Sequence, residues 1–514
     1  MKIIALYTVL LVTFCAMSCT KDKGNYKYAD NNTVAISGID EQYFFTLNRK
    51  GNILPVLALK DKSAMDTGRY KFEWAIDKAS GYSIGKSILS TRRTLDTLIV
   101  PQLGCASYYC YFRVTDTVTG IFSQKDFMMH VSTPSYEGWL FLCEPSPGNS
   151  RLDMISMSGD KDTLYKDVLA TVGSTYKLNG APSFVTAGPV YYPPAKGLVA
   201  PLIGTANDAA ILGLDTLDYQ PAYALNSFIN GQKVTDFTDA RFYPRLSGAL
   251  LNSRQGLYYS TYSPVLNGPA NVYQGLPDPI TLNTKVAYDY SGANWILFDD
   301  KTNSFIRYAI GNAYCRTIPA GALFDYDINK NVSGGMKLVH FESIVKSYNS
   351  SEVFAILKAN TTGKYYLARF NLTGTAQTFY EEIPNATDIA QATKFAVSPE
   401  FGYIFYSVGG VIYEYDYTVR KSYKMYDYGN RKISYFEFPY LNFSDVARWG
   451  GLPLNYDRYS AYRKKLLVAT YDEANTNTGG AVDIFNVPAV NQQIQVFKSY
   501  KGMGKVASVG FRER

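Results

Sequence analysis

The sequence predicts an all-β protein: an N-terminal immunoglobulin-like β-sandwich followed by a β-propeller of about seven blades. Three observations predict it. Aromatic residues reach 15% of the chain, with 45 tyrosines, and these residue types favour strands. Short apolar runs recur in pairs across polar turns, the pattern of successive hairpins. Long amphipathic helical stretches are scarce, which argues against α/β layering.

The elements follow in chain order. Residues 1–18 have the layout of a secretory signal: a charged start at Lys2, an apolar stretch, then small residues before Cys19. The stretch is too short to span a bilayer. Ala16-Met17-Ser18-Cys19 resembles a bacterial lipobox, so Cys19 is expected to carry acyl chains. Residues 19–32 are polar and read as a tether.

Residues 33–134 are expected to form one or two small sandwiches. Tyr70-Lys71-Phe72-Glu73-Trp74-Ala75-Ile76 alternates and supplies a tryptophan suited to a sandwich core. Tyr108 stands two residues before Cys110, the spacing of a tyrosine corner. Pro134 marks the boundary.

In residues 135–514 the pattern changes to hairpins. Trp139-Leu140-Phe141-Leu142 is answered by Leu152-Asp153-Met154-Ile155, and Trp295-Ile296-Leu297-Phe298 by Phe305-Ile306-Arg307-Tyr308. Three more pairs start at Val353 and Tyr365, at Tyr403 and Val411, and at Leu466 and Val482. A strand repeat every 40–60 residues or so points to a propeller, and a segment of this length holds about seven blades.

Composition excludes several functions. The net charge of +7 is spread without a basic block, so nucleic acid is not an expected partner. His130 and His340 are the only histidines, too few for a three-histidine metal site, and no H-E-x-x-H occurs. Cys105, Cys110, Cys143 and Cys315 lack zinc-ligand spacing. Cys105 and Cys110 can pair only if the chain turns between them. Gly81-Tyr82-Ser83-Ile84-Gly85 matches a hydrolase string, which needs a strand before it, a helix after it and a histidine partner. Here it lies in a turn of the sandwich after Trp74, with His340 the only downstream histidine outside that sandwich, so a chance match is the better reading. Asp299-Asp300-Lys301-Thr302-Asn303 has oxygen donors suited to calcium, although a hairpin turn explains it better. Glu381, Glu382, Asp445 and Asp472 read as loop acids rather than a sugar-cleaving pair. No cofactor, metal or catalytic residue is expected, and the chain reads as a binding protein rather than an enzyme.

Recognition is expected in residues 436–462, a strand-poor stretch that reads as lying between two blades. Tyr440, Arg448, Trp449, Tyr456, Arg458 and Tyr459 are of the types enriched in interface hot spots. Four Asp-Thr-aliphatic triplets, at Asp96, Asp116, Asp162 and Asp215, resemble O-glycan acceptor sites of exported Bacteroidota proteins.

Cys19-Thr20-Lys21-Asp22-Lys23-Gly24-Asn25-Tyr26-Lys27-Tyr28, with the Tyr70–Trp74 run and Gly138-Trp139-Leu140-Phe141-Leu142, resembles the PKD-like lipoproteins of Bacteroidota. Lys27 stands where that family carries an acidic residue. The resemblance implies an outer-membrane lipoprotein facing the cell exterior. Its partners would be a SusC-like TonB-dependent transporter and a SusD-like lipoprotein, and its cargo peptide or glycan, with peptide favoured. The alternative is a surface glycan-binding protein, or a propeller lyase or glycosidase acting on polysaccharide.

Overall fold

The computed structural model describes residues 33–80, 84–100, 104–158, 161–190, 198–213, 228–229, 232–243, 248–260, 267–275, 279–289, 293–347, 350–439 and 461–513. Cys19, the tether and the Gly81–Ser83 part of the hydrolase string lie outside them. Among the described residues no helix is long and apolar enough to cross a membrane.

The N-terminal region is one sandwich rather than two, because all its strands close over one core. Its larger sheet has the order Gln42–Thr46, Phe122–Ser132, Ser107–Asp116, Tyr70–Ala79, Ser87–Ser90. The first pair is parallel and the rest antiparallel. Two short ribbons, Val34–Ser37 with Val56–Leu59 and Lys50–Ile53 with Leu95–Leu98, make the other layer. The alternation on Tyr70–Ala79 delivers Trp74 to the centre, fully buried. Its ring centroid lies 4.2 Å from that of Phe112, and its indole N–H donates to the Arg92 carbonyl at 3.0 Å. That bond satisfies the one polar atom the ring brings inside. Tyr108 donates from its hydroxyl to the Gly104 carbonyl at 2.9 Å, forming a tyrosine corner.

Apart from a two-stranded ribbon, Phe228–Ile229 with Gln232–Lys233, the described remainder of the chain builds seven sheets in sequence order. Blade 1 contains Gly138–Glu144, Arg151–Ser156 and Thr163–Tyr165. Blade 2 contains Pro182–Val190, Leu198–Thr205 and Ala209–Ile211. Blade 3 contains Phe237–Tyr243, Gly248–Ser253 and Gly256–Ser260. Blade 4 starts at Ala287–Tyr288, continues through Asn294–Asp299 and Ser304–Ala309, and ends at Arg316–Thr317. Blade 5 runs from Met336–Ser347 through Ser350–Ala359 and Tyr365–Asn371 to Gln377–Glu382. Blade 6 runs from Lys394–Val397 through Ile404–Val408 and Val411–Asp416 to Lys421–Asp427. Blade 7 runs from Lys432–Glu437 through Leu466–Tyr471 and Gly480–Asn486 to Gln495–Met503.

The C-terminal strand, Lys505–Arg512, closes the ring. It pairs antiparallel with Gly138–Glu144 and supplies the innermost strand of blade 1, counted as its first, with Gly138–Glu144 and Arg151–Ser156 as the second and third. Closure removes the free sheet ends that a row of blades would otherwise expose. The first strands of neighbouring blades meet along the axis. The Val185 amide donates to the Ser508 hydroxyl at 3.0 Å, and the Tyr288 amide to the Ser343 hydroxyl at 3.2 Å.

Cys110, Cys143 and Cys315 are buried free thiols on separate elements. The Asp299–Asn303 segment is a hairpin turn: Asp299 accepts from the Lys301 amide at 3.0 Å and from the Thr302 hydroxyl at 2.8 Å.

Candidate functional site in the propeller channel

The site is built by alternation on the first strand of each blade. On Phe237–Tyr243, Phe237, Ala240 and Phe242 pack into the seam between blades. Asp239 and Arg241, two residues apart, therefore face the axis. On Lys432–Glu437, Phe436 enters a seam while Tyr435 and Glu437 face the other way. Lys285 enters from just before the first strand of blade 4, Glu342 from that of blade 5, and Lys394 from that of blade 6.

These groups meet across the channel. Lys285 Nζ lies 2.8 Å from Glu437 Oε1, joining blade 4 to blade 7. The two blades stand three places apart on the ring, so the pair spans the axis. The Tyr435 hydroxyl donates to Glu437 Oε2 at 3.0 Å. Arg241 Nη2 lies 3.7 Å from Asp239 Oδ1, and its guanidinium stands 5.9 Å from the centre of the Tyr288 ring. Glu342 accepts the Val397 amide, with His340 Nε2 3.7 Å away. Lys285 and Glu437 remain 45% and 26% exposed although protein surrounds them. The axis is therefore a solvent-accessible channel crossed by an ion pair, not a dry core.

The channel's electrostatics are strongly coupled. Burial alone would raise the Glu437 carboxyl; Lys285 and Arg241 outweigh it and hold it down to about 2. Burial raises Asp239 against the opposing pull of Arg241 and Lys285. The Lys285 ammonium is raised, chiefly by Glu437. Lys394 is lowered by burial and then by Lys285. The result is fixed charges of both signs in a confined polar space, suited to a ligand that also carries both. Among the described residues no three His, Cys, Asp or Glu side chains gather as a metal site.

Tyr440, Arg448, Trp449, Tyr456, Arg458 and Tyr459 lie outside the described residues. Their segment does not join two blades as the sequence suggested. The strands on either side, Lys432–Glu437 and Leu466–Tyr471, pair with each other within blade 7. Glu437, a member of the channel pair, is the last residue of the strand that precedes the segment in sequence. Glu381 and Glu382 are not loop acids: both lie on the outer strand of blade 5, where Glu381 pairs with Arg420 and Glu382 with Lys364 at 2.9 Å, and Asp445 lies outside the described residues. His130 sits on a sandwich strand, 2.7 Å from the Ser107 hydroxyl. Sequence reasoning missed the channel groups. Their signal was a charge or hydroxyl at every second position of an apolar strand, as in Asp239-Ala240-Arg241-Phe242 and Tyr435-Phe436-Glu437-Phe438.

A model of the PKD-like family matches residues 19–182. The match begins on Cys19 and runs through the sandwich and blade 1. No curated protein matches the chain. Among solved structures, a quinonprotein alcohol dehydrogenase-like protein of Bacteroides thetaiotaomicron is similar at 12% identity and a TM-score of 0.42, covering 92% of this chain and 96% of that one. The extracellular domain of a putative one-component system from the same organism shows 10% identity and a TM-score of 0.36, over 64% of this chain and 36% of that one. The WD40 domain of Toxoplasma gondii coronin shows 12% identity and a TM-score of 0.38, over 70% and 81%. At these values none of the three bears on function.

Proposed function

We propose that this protein is a lipid-anchored lipoprotein of the outer membrane, held by Cys19 and facing the cell exterior. It acts as a non-catalytic binding subunit of a SusCD-type importer whose cargo is oligopeptide. A SusC-like TonB-dependent transporter and a SusD-like lipoprotein are its partners. The observation that carries this reading is the PKD-like match beginning on the lipobox cysteine. The channel supports it: a peptide carries ammonium, carboxylate and amide groups together, and the channel offers Lys285, Arg241, Glu437 and Tyr435 to such groups. The 440–459 segment, rich in tyrosine and arginine, follows Glu437 in the chain. The test is a pull-down of the tagged chain from native outer membranes, with a Cys19→Ala variant in parallel. The expected outcome is a SusC-like barrel and retained peptide with the wild type, and loss of the variant from the membrane fraction. A wild-type preparation free of any barrel would sink the reading.

One observation favours a second reading. Asp239 is raised while Glu437 is depressed within one channel, and carboxyls pushed apart in this way are how glycosidases divide acid and base roles. Turnover of a polysaccharide panel by the purified chain, abolished in Glu437→Gln, would establish it over the binding role.

A further inference from the structure

We infer that the outer rim of blade 4 is a carboxylate-binding groove built on Arg307 and Arg316, and that its ligand is an acidic oligopeptide. The inference rests on the oligopeptide reading above. Arg307 and Arg316 are direct cross-strand partners on Ser304–Ala309 and Arg316–Thr317, and both are exposed. Side chains so placed stand on one face about 5 Å apart at their Cβ atoms, and like charges there are destabilising. Among the described residues neither guanidinium has a carboxylate partner within ion-pair distance. Arg316 touches only a neutral group, the Tyr314 hydroxyl at 3.3 Å, with the ring centre 5.5 Å away.

The acids close by are already committed. Lys330 lies 3.2 Å from Asp327 and 3.9 Å from Asp325. Asp327 also accepts the Asn329 amide at 3.2 Å, and Asp325 the Asp327 amide at 2.9 Å. Space exists on both sides of the arginine pair. Both arginines line a cleft of about 880 Å³, whose far side carries Lys330 with its partners Asp325 and Asp327, and a second hollow of about 210 Å³ toward Leu372 of blade 5. The larger one is within the size range of ligand sites. A carboxylate set between two guanidinium forks accepts paired hydrogen bonds and offsets the repulsion between the two like charges. An extended peptide with successive acidic side chains can fill both hollows while its backbone crosses the rim.

The experiment uses the full lipid-bearing chain in detergent, titrated with fluorescent pentaglutamate, pentaglutamine and oligogalacturonate. Pentaglutamate is expected to bind about tenfold more tightly than pentaglutamine, and to weaken as salt rises. The Arg307→Gln/Arg316→Gln double variant is expected to lose that preference while melting no lower than the wild type, since a repulsion has been removed. Equal binding of the two peptides, an unaffected double variant, or a preference for oligogalacturonate would each overturn the inference. Equal peptide binding leaves the importer reading standing. Absence of all peptide binding, together with absence of a barrel in the pull-down, defeats both.

Discussion

The seam between blades 4 and 5 and the seam between blades 2 and 3 solve one packing problem in opposite ways. In the first, Phe305 is the hub. Its ring meets those of Phe298, Phe370, Phe341 and Tyr326 near edge-on, with centroids 5.0, 5.4, 5.7 and 6.5 Å away. This geometry sets positive ring edges against negative faces. In the second, large rings are admitted by absent side chains. A Cβ on Gly188 would fall 2.2 Å from Phe242 Cγ, and one on Gly204 would fall 2.3 Å from Phe184 Cε1. Ala200, Ala209, Ala240 and Ala249 stand in that core beside Leu202, Ile211, Phe237, Leu251 and Tyr258. One architecture thus tolerates two packing chemistries, provided each seam is filled.

Three measurements break or sharpen the contrast. The largest effect is expected from Phe305→Ala, which empties the hub of the aromatic seam and should cost about 4 kcal/mol by urea unfolding. Gly188→Ala should cost about 2 kcal/mol by overpacking, and the same substitution in a Phe242→Ala background should cost far less. If the two substitutions proved additive, the glycine would not be accommodating the ring.

The smallest and most conditional effect lies in the seam between blades 6 and 7. There Glu414 is fully buried between Phe405 and Tyr423, with neither carboxyl oxygen hydrogen-bonded. Burial, then Asp416, pushes its carboxyl up to about 8. The folded chain therefore keeps a proton that the unfolded chain releases near 4.5. This contribution is whole below that lower value and is lost as pH rises toward the higher one, at up to about 1.4 kcal/mol per pH unit. Glu414→Gln should flatten the dependence of melting temperature on pH across that window. An unchanged slope would mean the carboxyl ionises freely.

The propeller was legible where strands are buried on both faces. The five hairpins readable as apolar runs are all the second and third strands of blades 1, 4, 5, 6 and 7. Such strands need apolar side chains at consecutive positions, and these stand out in a sequence. Blades 2 and 3 stayed hidden. Pro182, Gly188, Pro189 and Pro201 interrupt the blade 2 strands, and local propensity reads such residues as breaks. The channel was illegible for a different reason. Lys285 and Glu437 are 152 residues apart, and only ring closure makes them neighbours. Arg307 and Arg316 were similarly plain as charges, but their register is a tertiary fact.

The pairing of Gly138–Glu144 with Lys505–Arg512 sets an order for folding. Glu144 and the lysine that meets it are 361 residues apart, so nearly the whole propeller must be present before blade 1 can be finished. Until then its Gly138–Glu144 edge has unpaired amides and carbonyls, an invitation to other chains. A folding molecule therefore keeps one open edge until its last strand docks, and that edge is where association with other chains is expected.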